Sequence, residues 1–306
     1  MSEISIKNLK NSIGKDVQIN GWVYNIRSIG KIWFVIVRDG TGYVQCVVTK
    51  NDVSDKVFKL ENSLTQESSL KIKGTVQADT RSDSGVEILV TDIDVVHIAD
   101  EYPISLKEHG VSFLMDNRHL WLRSKKQFAI MKIRHQLIRS IRNFFDDREF
   151  VLIDSPIFTA NAVEGTTTLF ETDYFNRSAY LSQSGQLYQE AGAIAFGKTY
   201  CFGPVFRAEK SKTRKHLTEF WMVEPEMAYC DINQNMDIIE EFMSNVIKDT
   251  LDNCVDELKI LERDVSKLEN ISAPFPRISY DEAVDILSKK GHEFQYGSDF
   301  GAPDEE

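Results

Sequence analysis

The chain has 306 residues, of which 42% are hydrophobic and 27% charged, and its net charge at pH 7 is −11. This length is enough for about two domains with separate cores. No apolar run approaches the ~20 residues that span a membrane, and the N-terminus has no signal-peptide or transit pattern. The four cysteines are scattered without a CxxC pair, so we predict a soluble cytoplasmic protein with free thiols, whose net negative charge argues against indiscriminate nucleic-acid binding.

The first hundred residues have the pattern of a small all-β domain. Residues 15–98 contain three strand-like runs, a short helix at about residues 55–64, and two further strands, with a hairpin signal at Asp39-Gly40. This order is typical of an OB-fold, a barrel whose face binds single-stranded nucleic acid. We therefore predict an OB-fold domain over residues 1–100.

One face of this barrel is a candidate nucleic-acid surface. Arg27, Trp33, Phe34 and Gln45 offer charge, stacking rings and an amide for hydrogen bonding to a base edge. Trp33 and Phe34 are adjacent, so their side chains point to opposite faces of the strand and one of them belongs to the core. The pattern alone leaves open which one.

Residues 101–120 lose this periodicity and predict a linker to a second domain over residues 121–306. That domain opens with a helix at residues 124–148, apolar over much of its circumference, which indicates either burial in its own domain or contact with a second subunit. A short strand at residues 151–153 ends before Pro156. Farther on, residues 235–269 predict one long acidic helix.

Residues 202–229 form the segment with the strongest chemical signal. The predicted strand carries Arg207 and Glu209 on one face, and a basic loop with Arg214 and His216 follows before a second strand with Phe220. An arginine fork grips phosphate and a ring stacks on a base, so the segment suits a nucleoside triphosphate. A hairpin with a solvated basic loop is the alternative interpretation.

Several separated stretches resemble one family, the class II aminoacyl-tRNA synthetases of the aspartate, asparagine and lysine subgroup. The helix 124–148 with REFVLIDSP resembles motif 1 of that family, and FGPVFRAEKSKTRKHLTEFWMVEPEMAY resembles motif 2. AVEGTTTLF and YLSQSGQLYQEA resemble its amino-acid-binding segments. The resemblance implies an α+β fold with an all-β module: an N-terminal OB-fold barrel that reads the anticodon, followed by an antiparallel catalytic sheet flanked by helices.

The resemblance also implies roles for individual residues. Arg207 matches the catalytic arginine that binds the α-phosphate, and the remaining ATP-binding positions are Glu209, Arg214, His216 and Phe220. The amino-acid-binding positions are Glu164, Ser182, Gln183, Gln186 and Glu226. In the barrel, Arg27, Phe34 and Gln45 match the trio that reads the central uridine of a GUN-type anticodon. Pro156 matches the motif 1 proline at a homodimer interface.

The amino acid is indicated by departures from the aspartate enzymes. Those enzymes resemble SPQLYKQ, with a lysine that faces the substrate carboxylate, where this chain has SGQLYQE at residues 184–190. Burying a substrate carboxylate without a cation nearby costs free energy. Glu224 or Glu226 would also repel that carboxylate if either faces the pocket. A structural role in the strand is the other possibility for each of the two. We therefore expect asparagine as substrate and tRNA-Asn as partner, with aspartate as the alternative.

The family's motif 3, with its arginine over the adenine, is absent, and so is the acidic segment that ligates Mg²⁺. The resemblance implies ATP and Mg²⁺ as cofactors, with the metal ligands beyond residue 306 and none in this chain. The sequence matches the family up to residue 306, which we interpret as a truncated record of a longer enzyme. A non-catalytic protein that binds tRNA or nucleotides is the second hypothesis.

Overall fold

The computed structural model describes residues 2–82, 84–105, 107–160, 168–209, 216–301 and 304. Within it the chain divides into two compact units, Met1–Trp121 and Leu122–Glu306.

The first unit is a closed β-barrel. Its strands are β1 (Ser2–Glu3), β2 (Asp16–Ile29), β3 (Ile32–Arg38), β4 (Tyr43–Thr49), β5 (Ser69–Ala78) and β6 (Val86–His97). They are ordered β1-β2-β3-β4-β6-β5, and a β2–β5 pairing closes the sheet. Helix α1 (Asp55–Phe58) and a 3₁₀ turn at Lys59–Asn62 join β4 to β5, and a 3₁₀ helix at Ile6–Ser12 precedes β2. The strand-helix-strand order predicted for an OB-fold is confirmed.

Alternating side chains build the barrel core. Every second residue of β3 and β4 is buried, as the two-residue period of a strand requires. Trp33 is fully buried, whereas its neighbour Phe34 is only partly buried and lies on the opposite side of β3. Gly74 allows β5 to pass close to β6, since a Cβ there would lie 2.2 Å from the carbonyl oxygen of Leu89.

The region predicted as an aperiodic linker contains two short helices. Residues Val111–Asp116 form α2 and Arg118–Trp121 form α3. Gly110 precedes α2 in an extended conformation, so the predicted loss of regular structure holds for residues 101–105 and 107–110 but not for those that follow.

The described part of the second unit contains two 22-residue helices, two small sheets and several shorter helices. Its strands are β7 (Val151–Leu152), β8 (Phe158–Thr159), β9 (Glu171–Tyr174), β10 (Arg177–Leu181), β11 (Lys198–Phe206) and β12 (Glu219–Met227). One sheet has the order β12-β11-β7 and the other β8-β10-β9. All pairs are antiparallel except β11–β7, which is parallel.

The helices of this unit differ in one respect from the sequence prediction. They are α4 (Lys125–Asp146), α5 (Gln186–Phe196), α6 (Ile232–Asn253), α7 (Val255–Ile260), α8 (Ser266–Glu269) and α9 (Tyr280–Lys289). The predicted single helix over residues 235–269 is wrong, because the chain leaves helical geometry at Cys254 (φ −122°, ψ 30°). This turn buries both Cys254 and Leu258.

The core of the second unit lies on one face of the β12-β11-β7 sheet. Phe144 and Phe145 of α4 pack with Phe150, Tyr200 and Phe202, and the Tyr200 hydroxyl donates to Asp146 at 2.9 Å. Because neighbouring residues of a strand point to opposite faces, burial of Tyr200 and Phe202 leaves the odd-numbered side chains of β11 on the other face.

Candidate functional site

The face of β11 and β12 opposite the core carries two of the candidate ATP-binding residues, Phe220 on β12 and Arg207 just beyond the end of β11. In the antiparallel register Val205 lies opposite Phe220, Gly203 opposite Met222 and Cys201 opposite Glu224. The strand β11 ends at Phe206, one residue before the predicted Arg207, but the Arg207 N–H still donates to the Thr218 carbonyl at 2.9 Å. The hairpin geometry thus extends to Arg207 and places it on the same face as Phe220.

The Arg207 side chain lies along this face with an unsatisfied donor. Its Nη2 approaches the Met222 sulfur at 3.9 Å, and its Nε is buried without a hydrogen-bond partner among the described residues. A buried guanidinium N–H without an acceptor is unfavourable. Gly203, opposite Met222, leaves open space beside it, since a Cβ there would have no atom within 4 Å. The site therefore offers a directed donor and room for an anionic acceptor.

Of the other predicted ATP-binding residues, Phe220 shares the sheet face of Arg207. Phe220 is partly exposed, and Glu209 and His216 are exposed beyond the ends of the two strands. Arg214 lies outside the described residues.

Three of the predicted amino-acid-binding residues, Ser182, Gln183 and Gln186, lie where β10 leads into α5. Ser182 and Gln183 are buried there, and the Ser182 hydroxyl donates to the Ser184 carbonyl at 2.7 Å. Gln186 begins α5, and its Nε2 donates to Glu190 at 3.2 Å. The structure therefore brings Ser182, Gln183 and Gln186 together. Glu164 lies outside the described residues.

Glu224 connects this loop to the hairpin. Its carboxylate accepts from the Gly185 N–H through both oxygens, at 3.1 and 3.0 Å. It also accepts from the Ser184 hydroxyl and from the Cys201 thiol, with a sulfur–oxygen distance of 3.3 Å. Glu224 thus has a structural role at the N-terminus of α5, where a negative charge is favourable.

Glu226 lies two residues farther along the same strand face. Partial burial raises the pKa of its carboxyl, and the negative charges of Glu190 and Glu224 raise it further. The three carboxylates make this part of the unit electronegative. Such a site favours a ligand with positive or hydrogen-bond-donating groups and disfavours a second carboxylate.

Gln189 is at the position of the lysine that, in the SPQLYKQ pattern, faces the substrate carboxylate. The Gln189 side chain does not face an open site. Its side chain is fully buried, and its Nε2 donates to the Ile153 carbonyl at 2.6 Å and to the Ser155 hydroxyl at 3.3 Å. Gln189 therefore fixes the loop that precedes Pro156. Pro156 itself is exposed.

A cavity of about 250 Å³ lies next to these residues. Its lining includes Ser182, Gly185, Cys201 and Glu224, and on another side Arg142, whose Nε is buried without a partner among the described residues. This volume lies below the range that accommodates drug-sized ligands and suits a small one.

The barrel has a separate candidate site on β2, β3 and β4. The Arg27 guanidinium lies 4.8 Å from the centre of the Phe34 ring, and its Nη2 donates to the Gln45 Oε1 at 2.7 Å. The Gln45 Nε2 donates to Glu87 at 3.1 Å. The structure therefore brings the predicted trio together on one face.

Glu87 is a site residue that sequence reasoning missed. It lies beside Gln45 because β4 and β6 pair in parallel, and no local signal marks such a pairing. The sequence signal that exists is a charged side chain between two apolar ones, Val86 and Ile88.

No group of three or more His, Cys, Asp or Glu side chains in the described ranges could hold a metal ion. Among the helices of those ranges, none is long and apolar enough to cross a membrane.

Comparison with known proteins gives matches along the whole chain. The family model described as class II tRNA synthetases (D, K and N) matches residues 110–305, and that of the OB-fold nucleic acid binding domain, tRNA anti-codon type, matches residues 17–96. The curated asparagine–tRNA ligase of Pelotomaculum thermopropionicum is 54% identical over 305 residues, which are 100% of this chain and 71% of that protein.

Solved structures give similar matches. The asparaginyl-tRNA synthetase of Pyrococcus horikoshii, complexed with asparaginyl-adenylate, has a TM-score of 0.89 at 42% identity, over 96% of this chain and 68% of that one. The enzyme of Entamoeba histolytica, also complexed with asparaginyl-adenylate, has a TM-score of 0.83 at 28% identity, over 100% of this chain and 71% of that one.

Proposed function

This chain belongs to the class II tRNA synthetases of the aspartate, lysine and asparagine group, and we propose that it activates asparagine with ATP and transfers it to tRNA-Asn. The observation that carries the proposal is the arrangement of one sheet face. The Nε–H of Arg207 is buried without an acceptor, and it lies on the same sheet face as the electronegative group formed by Glu224 and Glu226. The match of the whole chain to 71% of an asparagine–tRNA ligase supports the same conclusion.

The chemistry suits this arrangement. Adenylation is an in-line attack of a carboxylate on the α-phosphorus of ATP, and it brings two anions together without a protein nucleophile. Arg207, with its free Nε donor, would bind the α-phosphate and offset this repulsion. Phe220, partly exposed on the same face, would stack on the adenine, with Glu209 beside it and His216 near the outer phosphates.

We propose that Mg²⁺ assists ATP, as the family resemblance implies. When bound it would offset charge on the phosphates. Because no metal-binding group lies within the described ranges, we assign it no ligand there, and the roles given to Arg207 and Phe220 do not depend on it.

The proposal of asparagine rests on the charge of the site. Glu190, Glu224 and Glu226 lie close enough for their charges to raise the pKa of Glu226. The ammonium and amide groups of asparagine supply donors to this group of carboxylates. Ser182 lines a cavity together with Glu224, and Gln186 donates to Glu190. Aspartate would add another negative charge, which is costly in a partly buried site.

The barrel is proposed to read the anticodon. Phe34 would stack on the central base while Arg27 and Gln45 hydrogen-bond to its edge. Their mutual contacts support this role because they hold the three side chains in one arrangement before RNA arrives.

We further propose that the chain acts as a homodimer in the cytoplasm. Pro156 is exposed, and so are its neighbours Ile157 and Phe158 and, on α4, Met131. Large exposed apolar side chains beside a predicted interface support association. The four cysteines are free thiols, as a reducing compartment allows. Sedimentation velocity at micromolar concentration tests the dimer, and a monomer would contradict it.

The proposed activity is tested by comparing amino acids side by side. Calorimetric titration with the sulfamoyl analogues of asparaginyl- and aspartyl-adenylate should give tighter binding of the asparaginyl compound, and ATP–pyrophosphate exchange should be faster with asparagine. Preference for the aspartyl analogue would favour the aspartate alternative. Binding of tRNA without binding of either analogue would favour a non-catalytic tRNA-binding protein.

A further inference from the structure

Met222 lies in contact with the proposed phosphate-binding arginine. It is part of β12, on the same sheet face as Phe220, and its sulfur lies 3.9 Å from the Arg207 Nη2. A thioether is only a weak acceptor, so this contact leaves most of the hydrogen-bonding capacity of the guanidinium for another group. The Arg207 Nε, which is buried without a partner among the described residues, shows the same shortage of acceptors.

The Met222 side chain is within reach of small molecules. It is partly exposed, and Gly203 lies directly opposite it on β11. A Cβ at Gly203 would have no atom within 4 Å, so the space beside Met222 is open. Oxidation of a methionine to the sulfoxide changes a flexible apolar side chain into a polar one. At this position the change would occur next to a guanidinium.

The oxidation balances with hydrogen peroxide as the oxidant. The O–O bond of the peroxide breaks, one oxygen atom forms a bond to the Met222 sulfur, and the other leaves as water with both protons. The sulfur loses two electrons, which reduce the peroxide. Methionine sulfoxide reductases reverse the step: two thiols are oxidised to a disulfide, and the sulfoxide oxygen leaves as water.

We propose that Met222 is a reversible oxidation site, and that the oxygen of its sulfoxide accepts from Arg207 and thereby competes with the α-phosphate of ATP. The inference rests on the proposed function, because it requires that Arg207 binds ATP. An oxygen bonded to a sulfur that lies 3.9 Å from Nη2 comes within reach of the guanidinium. Oxidation thus supplies, from inside the protein, the acceptor that Arg207 lacks.

Two substitutions at Met222 separate its shape from the oxygen it can gain. Met222→Leu removes the oxidisable sulfur and adds no acceptor, whereas Met222→Gln introduces an amide oxygen that can accept from Arg207 without any oxidation. In untreated protein the glutamine variant should bind ATP about tenfold more weakly than the leucine variant, as expected when a charged group gains a competing hydrogen bond. Calorimetry measures both affinities, and equal affinities would contradict the proposed competition.

Peroxide treatment tests the modification itself, with Met243→Leu as the matched control because Met243 is exposed on α6. Dithiothreitol added afterwards reduces cysteine sulfenic acids and disulfides but leaves methionine sulfoxide. Burial raises the pKa of the Cys201 thiol to about 12, which keeps this neighbour protonated and unreactive. Treated wild type and treated Met243→Leu should lose about tenfold in ATP affinity, whereas Met222→Leu should stay within about twofold of its untreated value. Sulfoxide reductases should restore the wild type.

Peptide mass spectrometry determines which methionines carry oxygen, and far-ultraviolet circular dichroism checks the fold after treatment. Three results would overturn the inference alone: Met222 remaining unoxidised when Met243 is fully converted, unchanged ATP affinity in protein oxidised at Met222, or an equal loss of affinity in Met222→Leu. Untreated wild-type protein that bound neither ATP nor the asparaginyl sulfamoyl analogue would overturn the proposed function and this inference with it.

Discussion

The amide of Gln45 and the carboxylate of Glu87 form a hydrogen bond of 3.1 Å across the parallel strands β4 and β6. On its other side the Gln45 Oε1 accepts from Arg27. Arginine only donates and an ionised glutamate only accepts, so the two neighbours determine which end of the Gln45 amide carries the oxygen. An amide fixed in this way presents one arrangement of donor and acceptor to a base.

Glu87→Ala should weaken the selection of uridine at the centre of the anticodon. The variant frees the amide nitrogen of Gln45, and we expect discrimination between uridine and cytidine to fall by about tenfold, since one good base contact contributes ~1–3 kcal/mol. Fluorescence anisotropy with two anticodon stem-loop RNAs that differ at this base measures the effect.

The control for this variant removes the same charge elsewhere on β6. Asp92→Ala breaks an exposed pair with Lys73 at 3.2 Å and should strengthen binding of both RNAs slightly without changing their ratio. An unchanged uridine preference in Glu87→Ala would show that Arg27 alone orients the amide.

Arg207→Met should abolish most ATP binding without destabilising the fold. The native Nε is buried without an acceptor among the described residues. An apolar side chain of similar length therefore removes the positive charge and also the unfavourable burial of an unpaired N–H. We expect exchange activity to fall by at least ~10²–10³, the usual effect of losing one such charge stabiliser. Calorimetry with ATP and a thermal melt measure the two effects.

Arg177→Met is the matched control for Arg207→Met. Arg177 is exposed on β10, where its guanidinium lies 5.5 Å from the centre of the Tyr174 ring. This change should leave ATP affinity within about twofold. Exchange within tenfold of wild type in Arg207→Met would refute the role assigned to Arg207.

Local sequence patterns predicted the parts of the structure that form between near neighbours. The alternation in β3 and β4 predicted the barrel strands, and adjacency on one strand showed that either Trp33 or Phe34 must be core. The choice of Phe34 for the surface came from family resemblance, and the burial of Trp33 agrees with it. The hairpin of β11 and β12 was likewise predicted from a short contiguous segment.

Contacts between distant residues could not be predicted in this way. Glu87 lies 42 residues from Gln45, and Glu224 lies 39 from Gly185. Each contact depends on how separate elements pack, and periodicity carries no information on that. The break at Cys254 was missed for a similar reason, because the charge pattern continued across a turn that is fixed by burial of Leu258.

Glu67→Ala should destabilise the barrel strongly. The Glu67 carboxylate pairs with Arg38 through two contacts, and the side chains are only 5% and 13% exposed. Removing one partner leaves a buried charge, at a cost of ~3–5 kcal/mol in unfolding free energy. Native-state hydrogen exchange of β2 and β5 amides measures this for the barrel alone.

The exposed pair Lys73–Asp92 provides the comparison for Glu67→Ala. Its side chains are 40% and 50% exposed, so Lys73→Ala should cost less than ~1 kcal/mol. Similar losses of unfolding free energy in the two variants would mean that burial of the Arg38–Glu67 pair does not increase its contribution to stability.

Glu226→Gln should stabilise the fold at neutral pH while weakening asparagine binding. Burial first, and then the charges of Glu190 and Glu224, raise the pKa of Glu226 above its ordinary value of 4.5. The folded state therefore holds this proton more tightly than the unfolded state, and stability declines as pH rises from about 4.5 through the raised pKa. Glutamine carries no charge, so the variant should melt at a higher temperature than wild type at pH 7.5, and the difference should vanish near pH 4.

Glu219→Gln, on the exposed end of the same strand, should change neither melt by a comparable amount. In calorimetry the Glu226 variant should bind asparagine more weakly, because the ammonium loses an ionised partner. A lower melting temperature at pH 7.5 would show instead that Glu226 is stabilised by its surroundings in the ionised form.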